Sequence, residues 1–132
     1  MSKSANNIIN IFLDDKSLRK QVMSIETDST PLEDPKNPDT CNAFAIYSLL
    51  ANDEQIAAMK ANYLGGNYGY GHAKQALFEL ICEKFKTERK QYSYYMNNLT
   101  EVDALLKIGA QKASVVANGV LARVREKLGF EV

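Results

Sequence analysis

The chain has no excess charge of either sign. Its 16 lysines and arginines are balanced by 16 aspartates and glutamates, so a wholly basic nucleic-acid binder is excluded, although one face can still be basic. Histidine occurs once, at His72, with no nucleophile beside it, which argues against a catalytic triad. The two cysteines, Cys41 and Cys82, are too few and too unpatterned for a disulfide scaffold or a zinc site. The carboxylates are scattered, and none stands at metal-ligand spacing. No apolar run approaches the roughly 20 residues that span a bilayer. No signal-peptide pattern opens the chain. Repeats, low-complexity segments and period-two alternation are all missing. A reducing, cytoplasmic setting without a membrane partner is expected. What remains is 132 residues, 45% hydrophobic and 24% charged, which suits one all-helical domain with its own core.

Glycine and tyrosine are concentrated in one place. Tyr63 to Gln75 holds four of the seven glycines, three of the seven tyrosines and the sole histidine. Glycines at 65, 66, 69 and 71 suit positive φ and disfavour a helix interior. A hinge or tight turn is expected there, feeding a helix whose first turn contains Gly71 and His72. Two readings are open. The stretch is a helix C-cap plus a turn, or its free backbone N–H groups hold an anion.

Before this stretch, Ser4 is placed to cap a short helix containing Ile8, Ile9, Ile11, Phe12 and Leu13. Asp14 or Asp15 starts a second, with Leu18, Val22 and Ile25 on one face. Glu26 to Thr40 reads as a loop, because Pro31, Pro35 and Pro38 forbid a continuous helix. Asp39 or Thr40 caps a helix through Ala43, Phe44, Tyr47 and Leu50. Asp53 caps the next, with Ile56, Met59 and Tyr63 inward. After the glycines, Ala73, Ala76, Leu77, Leu80, Ile81 and Phe85 step by three and four. That helix is expected to reach about Tyr95 and to end at Asn97-Asn98. Thr100 to Asp103 reads as a capping box. It precedes a helix with a small-residue face at Gly109, Ala110, Ala113 and Ala117, closed by Gly129 with Phe130 beyond it.

Lys84, Lys86, Arg89 and Lys90, followed by Tyr92, Tyr94 and Tyr95, combine cations with aromatic faces, as single-stranded nucleic acid requires. The alternative is a solvated helix face with its tyrosines tucked into the core. The polar loop carries the donors and acceptors that reading an unpaired base requires.

Four blocks, in order, resemble the C-terminal part of the bacterial tryptophanyl-tRNA synthetases, a class I aminoacyl-tRNA synthetase family. Met1-Ser2-Lys3-Ser4 looks like the last four letters of the KMSKS signature. Lys20, a spacer and Thr27-Asp28-Ser29 look like the family's lysine followed by Thr-Asp-Ser. Tyr70-Gly71-His72-Ala73-Lys74 looks like its Tyr-Gly-His-x-Lys box. Gly109-Ala110-Gln111-Lys112-Ala113 with Gly129-Phe130 looks like its C-terminal helix. The leading lysine of KMSKS, the HIGH-type motif and the tryptophan pocket are not in this sequence.

The resemblance implies a fold and a division of the chain. Residues 1–4 would be the remnant of the KMSKS loop. Residues 5–132 would be an all-α bundle of the tryptophanyl/tyrosyl anticodon-binding type, without a sheet. The family is an ATP-dependent ligase of protein biosynthesis that activates tryptophan and charges tRNA(Trp). Lys3 would stabilise pyrophosphate, with Met1, Ser2 and Ser4 completing the ATP-binding loop. Contact with tRNA would fall to Lys20, Thr27, Asp28, Ser29, Lys36, Asp39 and Lys74. Asp28 can accept from the amino group of cytosine. Lys74 can instead be structural, packing the glycine turn. No metal site or cofactor is expected in the fragment. ATP with Mg2+ and tryptophan would act through the missing catalytic domain, in a homodimeric parent, and the fragment alone is expected to be inactive. The alternative from another class is an independent helical protein-interaction module.

Overall fold

The computed structural model describes residues 7–130. Among them there is no strand, and six α-helices are connected by short turns and one long loop: α1 (Asp15–Met23), α2 (Asn42–Leu50), α3 (Asp53–Gly65), α4 (Tyr70–Lys84), α5 (Lys86–Asn97) and α6 (Leu99–Lys127). A 3-10 turn at Pro38–Thr40 precedes α2. The helices gather into two compact units, one ending at Lys90 and the other beginning at Gln91.

The first unit is built on α4. Its Ala73, Leu77 and Ile81 recur every fourth residue and are buried, which places one stripe against the neighbours. α4 packs on α1 and α2. α1 supplies Leu18 and Val22, α2 supplies Ala43, Phe44 and Tyr47, and α3 supplies Met59 and Tyr63. Each fully buried large side chain here contributes about 1.5–3 kcal/mol of transfer free energy.

The helix starts follow local chemistry. Asp14 caps α1 by accepting from the Ser17 amide at 3.0 Å. The cap of α3 is Asn52, one residue before the expected Asp53. It forms a reciprocal capping box with Gln55, Oδ1 accepting from the Gln55 amide and Gln55 Oε1 accepting from the Asn52 amide. Cys41, rather than Asp39 or Thr40, precedes α2, because the 3-10 turn takes up those two residues.

Three expected elements differ. The segment before α1 is not helical. Asn10 Oδ1 accepts from the Phe12 amide and the Asn10 amide donates to Gln21, so side chains take the hydrogen bonds a helix would need. Ile9, Ile11 and Leu13 then pack on the core while Ile8 and Phe12 are exposed. Ser4, its expected cap, lies outside the described residues. The helix expected to run from His72 to about Tyr95 breaks at Phe85 (φ −104°, ψ 20°) into α4 and α5. Neither glycine nor proline marks the break, but it leaves Phe85 packed against the core. The expected capping box at Thr100 does not form, because α6 already starts at Leu99. The side-chain Nδ2 groups of Asn97 and Asn98 instead donate to the Ser93 and Tyr94 carbonyls at the end of α5.

In the second unit, α6 buries none of its residues. The small residues Gly109, Ala110, Ala113 and Ala117 are exposed. α6 closes as the sequence suggests. The Phe130 amide donates to Arg125 and the Gly129 amide to Glu126, with Gly129 at φ 76°, which is the double hydrogen bond of a Schellman end.

Candidate nucleic-acid interface

The polar loop and the glycine stretch form one structure. Gly66 sits at φ 72°, and a Cβ there would lie 2.5 Å from the Glu33 carbonyl oxygen. Glycine is needed both for the backbone conformation and for the close passage of the loop. At Gly69 a Cβ would meet the Leu32 side chain at 3.2 Å.

Lys36 fastens the loop from inside. Only 2% exposed, it donates its amide to the Tyr63 carbonyl at 2.7 Å. Its ammonium donates to the carbonyls of Pro31 (2.8 Å), Leu32 (3.2 Å) and Asp34 (3.0 Å). Three donors thus meet three acceptors, and the charge also stands 5.6 Å from the centroid of the Tyr70 ring. Lys36 was expected among the RNA contacts. Its burial and its spent protons correct that, since no proton is left for a phosphate.

Asp28 ties the loop to α4. Its Oδ1 accepts from the Thr30 amide at 2.9 Å and from the Tyr70 hydroxyl at 2.7 Å. Hydrogen bonds from Thr30 and then Tyr70 hold its carboxyl below the usual carboxylate range. The opposite shift falls on Tyr70, which burial and the bond to Asp28 push up to about 12. Behind it Tyr63 is fully buried, with ring centroids at 5.5 Å to Phe44, 5.9 Å to Tyr68 and 6.0 Å to Tyr70. The Tyr63 hydroxyl lies 3.3 Å from Cys41 Sγ, and burial above all raises its pKa.

The other expected contact residues separate into two groups. Lys20, Ser29 and Asp39 are exposed and Thr27 is half-buried. Lys74 is half-buried, and its ammonium donates to the Met23 carbonyl at the end of α1, where a cation also complements the helix dipole. Met1, Ser2, Lys3 and Ser4 lie outside the described residues. His72 is exposed, its ring 5.7 Å from Tyr68.

Along α5, Lys86 and Lys90 are exposed. Tyr94 and Tyr95 are exposed rather than tucked into the core, and the Tyr94 hydroxyl donates to Glu101 at 2.6 Å. Arg89 is occupied, donating to the Ile11 carbonyl and pairing with Asp15. Sequence reasoning missed this staple, the Arg19–Gln75 bond between α1 and α4 at 2.8 Å, and Tyr70 as the partner of Asp28. The only signal was Tyr70's place at the head of its box. Among the described residues no three His, Cys, Asp or Glu side chains gather to hold a metal ion, and no helix is long and apolar enough to cross a membrane.

No protein-family model matches the chain. It is 45% identical over 130 residues to a tryptophan–tRNA ligase of Fusobacterium nucleatum, covering 98% of this chain and 40% of that protein. It is 40% identical to the tryptophan–tRNA ligase of Campylobacter jejuni, covering 41% of it. A crystal structure of the Campylobacter jejuni tryptophanyl-tRNA synthetase superposes with a TM-score of 0.94 at 39% identity, over 98% of this chain and 42% of that one. The chain spans about 40% of the length of these relatives, and it aligns with their C-terminal part.

Proposed function

We propose, from the premise that the chain is homologous to the C-terminal part of the tryptophan–tRNA ligases, that it holds the anticodon end of tRNA(Trp). The observation that carries this reading is the loop from Thr27 to Asp39. It is pinned internally by Lys36 and by the Asp28–Tyr70 bond, yet it leaves Asp28, Ser29 and Asp39 exposed. A preformed loop with outward polar groups suits an unpaired base, whose edges are open to hydrogen bonding. Lys20, exposed on α1, and Thr27, half-buried at the start of the loop, are the further contacts of this reading. Lys74 takes the structural role open to it, as a tie to α1.

The complete ligase, in this reading, is a cytoplasmic homodimer that activates tryptophan with ATP and charges tRNA(Trp). Lys3, with Met1, Ser2 and Ser4, completes its ATP loop and stabilises the leaving pyrophosphate. Residues 1–4 are the end of that loop and 5–132 the anticodon-binding part. Mg2+ accompanies the ATP substrate. This chain alone is expected to give no tryptophan-dependent ATP–pyrophosphate exchange, and measurable exchange would contradict that.

Footprinting of a tRNA(Trp) transcript tests the RNA reading. Protection in the anticodon loop is expected, and protection confined to the acceptor stem refutes it. A helical protein-interaction module remains the second reading, favoured by the exposed Leu105, Ile108, Val116 and Val120 of α6. It predicts no RNA protection at all.

A further inference from the structure

Asp28 has two unequal oxygens. Oδ1 is saturated, since it accepts from the Thr30 amide at 2.9 Å and from the Tyr70 hydroxyl at 2.7 Å. Neither of these two bonds falls on Oδ2; the Thr30 side chain also interacts with the carboxylate, and Asp28 is exposed. Tyr70 is itself held from two sides. Its ring meets Tyr63 edge-on at 6.0 Å, and the Lys36 ammonium stands 5.6 Å from its centroid. Tyr63 is fully buried and Lys36 nearly so, so the support belongs to the rigid core of the first unit.

A free carboxylate on a loop rotates and offers either oxygen to water. Here rotation breaks a charge-assisted hydrogen bond with Tyr70 and another with the Thr30 amide. The orientation of the carboxylate is thereby fixed before any ligand arrives, and preorganisation of this kind sharpens discrimination between ligands. We propose that Tyr70 is a positioning residue for Asp28, turning Oδ1 inward so that Oδ2 alone accepts a hydrogen bond from the exocyclic amino group of an unpaired base.

The inference rests on the reading that this loop meets the anticodon, and it adds the residue that makes the loop selective. The exocyclic amino group is carried by cytosine and adenine and is replaced by a carbonyl in uracil. A carboxylate that presents only an acceptor favours the amino base and disfavours the carbonyl, because two acceptors cannot pair. The charged and titratable groups around the carboxylate are Tyr70 of α4 and Lys36 of the loop. Neither donates to Oδ2.

The test uses the 132-residue chain and four anticodon stem-loops: the tRNA(Trp) sequence, two in which one or the other anticodon cytosine is replaced by uridine, and one with its adenosine replaced by inosine, which removes that amino group. Dissociation constants are measured for the unaltered chain, Tyr70→Phe and Asp28→Asn. Tyr70→Phe keeps the ring and loses only the hydroxyl. It is expected to cut discrimination against the amino-deficient hairpin about tenfold while changing affinity for that hairpin by less than about twofold. Asp28→Asn leaves an oxygen to accept from Thr30 and Tyr70 and puts an NH2 donor where Oδ2 was. It is expected to reverse the preference toward the carbonyl-bearing hairpin, which a loss of structure cannot do.

The outcomes separate cleanly. If the unaltered chain does not distinguish the hairpins, the anticodon reading fails and the inference falls with it. If it distinguishes them and Tyr70→Phe does so equally well, the reading stands and the positioning role is overturned. If Tyr70→Phe fails to fold, Asp28→Asn decides: a reversed preference supports the inference, and equal weakening of all hairpins refutes it. Which substitution matters, cytidine to uridine or adenosine to inosine, identifies the base.

Discussion

Lys36 shows how a buried charge can serve as scaffolding. A lysine withdrawn from water is costly unless every proton finds an acceptor, and here the Pro31, Leu32 and Asp34 carbonyls supply them. Lys36→Met keeps the stem and strands three carbonyls. We expect a loss of about 2–4 kcal/mol in chemical denaturation, in keeping with the cost of unsatisfied buried polar groups; a loss below about 0.5 kcal/mol would show that water replaces the ammonium. The tyrosines give a second residue-scale expectation. Burial and the bond to Asp28 push the Tyr70 phenol up to about 12, and Tyr63 is raised as well, chiefly by burial. A raised folded-state value means the neutral phenol is the form the fold favours. Its contribution is complete below the unfolded value near 10 and disappears as pH climbs from there through about 12. Ultraviolet titration of the unaltered chain beside Tyr70→Phe and Tyr63→Phe should show that the absorbance lost with either substitution belongs to the part that ionises only as the fold opens. Loss of absorbance from a step near the ordinary phenol value would contradict this.

At the scale of elements, the glycines divide by what surrounds them. Gly66 carries positive φ and the loop backbone at 2.5 Å, whereas Gly71 has nothing within 4 Å of its would-be Cβ. Gly66→Ala is expected to destabilise by about 2 kcal/mol or more. Gly71→Ala, in the first turn of α4, is expected to be neutral or to stabilise by up to about 1 kcal/mol. Thermal melts of the pair that came out equal would refute the distinction.

Elements were legible where spacing alone decides them. The buried stripes of α1, α3 and α4, the Asp14 cap and the Gly129 end all follow from local pattern. The segment around Ile9 and Ile11 was not, because the Asn10 side chain and the distant Arg89 capture the backbone groups that a helix would have used. The break at Phe85 was hidden for the same reason, being set by packing and not by a breaker residue. In the candidate site, the Thr-Asp-Ser and Tyr-Gly-His-x-Lys blocks were visible as blocks. Their joining through Asp28 and Tyr70 is a contact across 42 positions, which no local pattern encodes. Lys36 illustrates the converse: a lysine in a polar loop reads as solvent-facing until its three carbonyl partners are seen.

For the whole molecule, charge balance sets the character of any RNA complex. With 16 basic against 16 acidic residues, and with Lys36, Lys74 and Arg89 committed to internal partners, there is no net positive charge to draw in phosphates. The slope of log K against log salt is therefore expected to be shallow, on the order of two or three phosphates, with sequence selectivity coming from the loop. The measurement that tests this most directly is titration of a labelled tRNA(Trp) anticodon stem-loop with the chain at two salt concentrations, beside the same hairpin with its anticodon changed. The account predicts preferential binding of the tRNA(Trp) hairpin, with a preference that persists as salt weakens both complexes in parallel. Equal binding of the two hairpins, abolished together by salt, would contradict it and leave only a non-specific electrostatic contact.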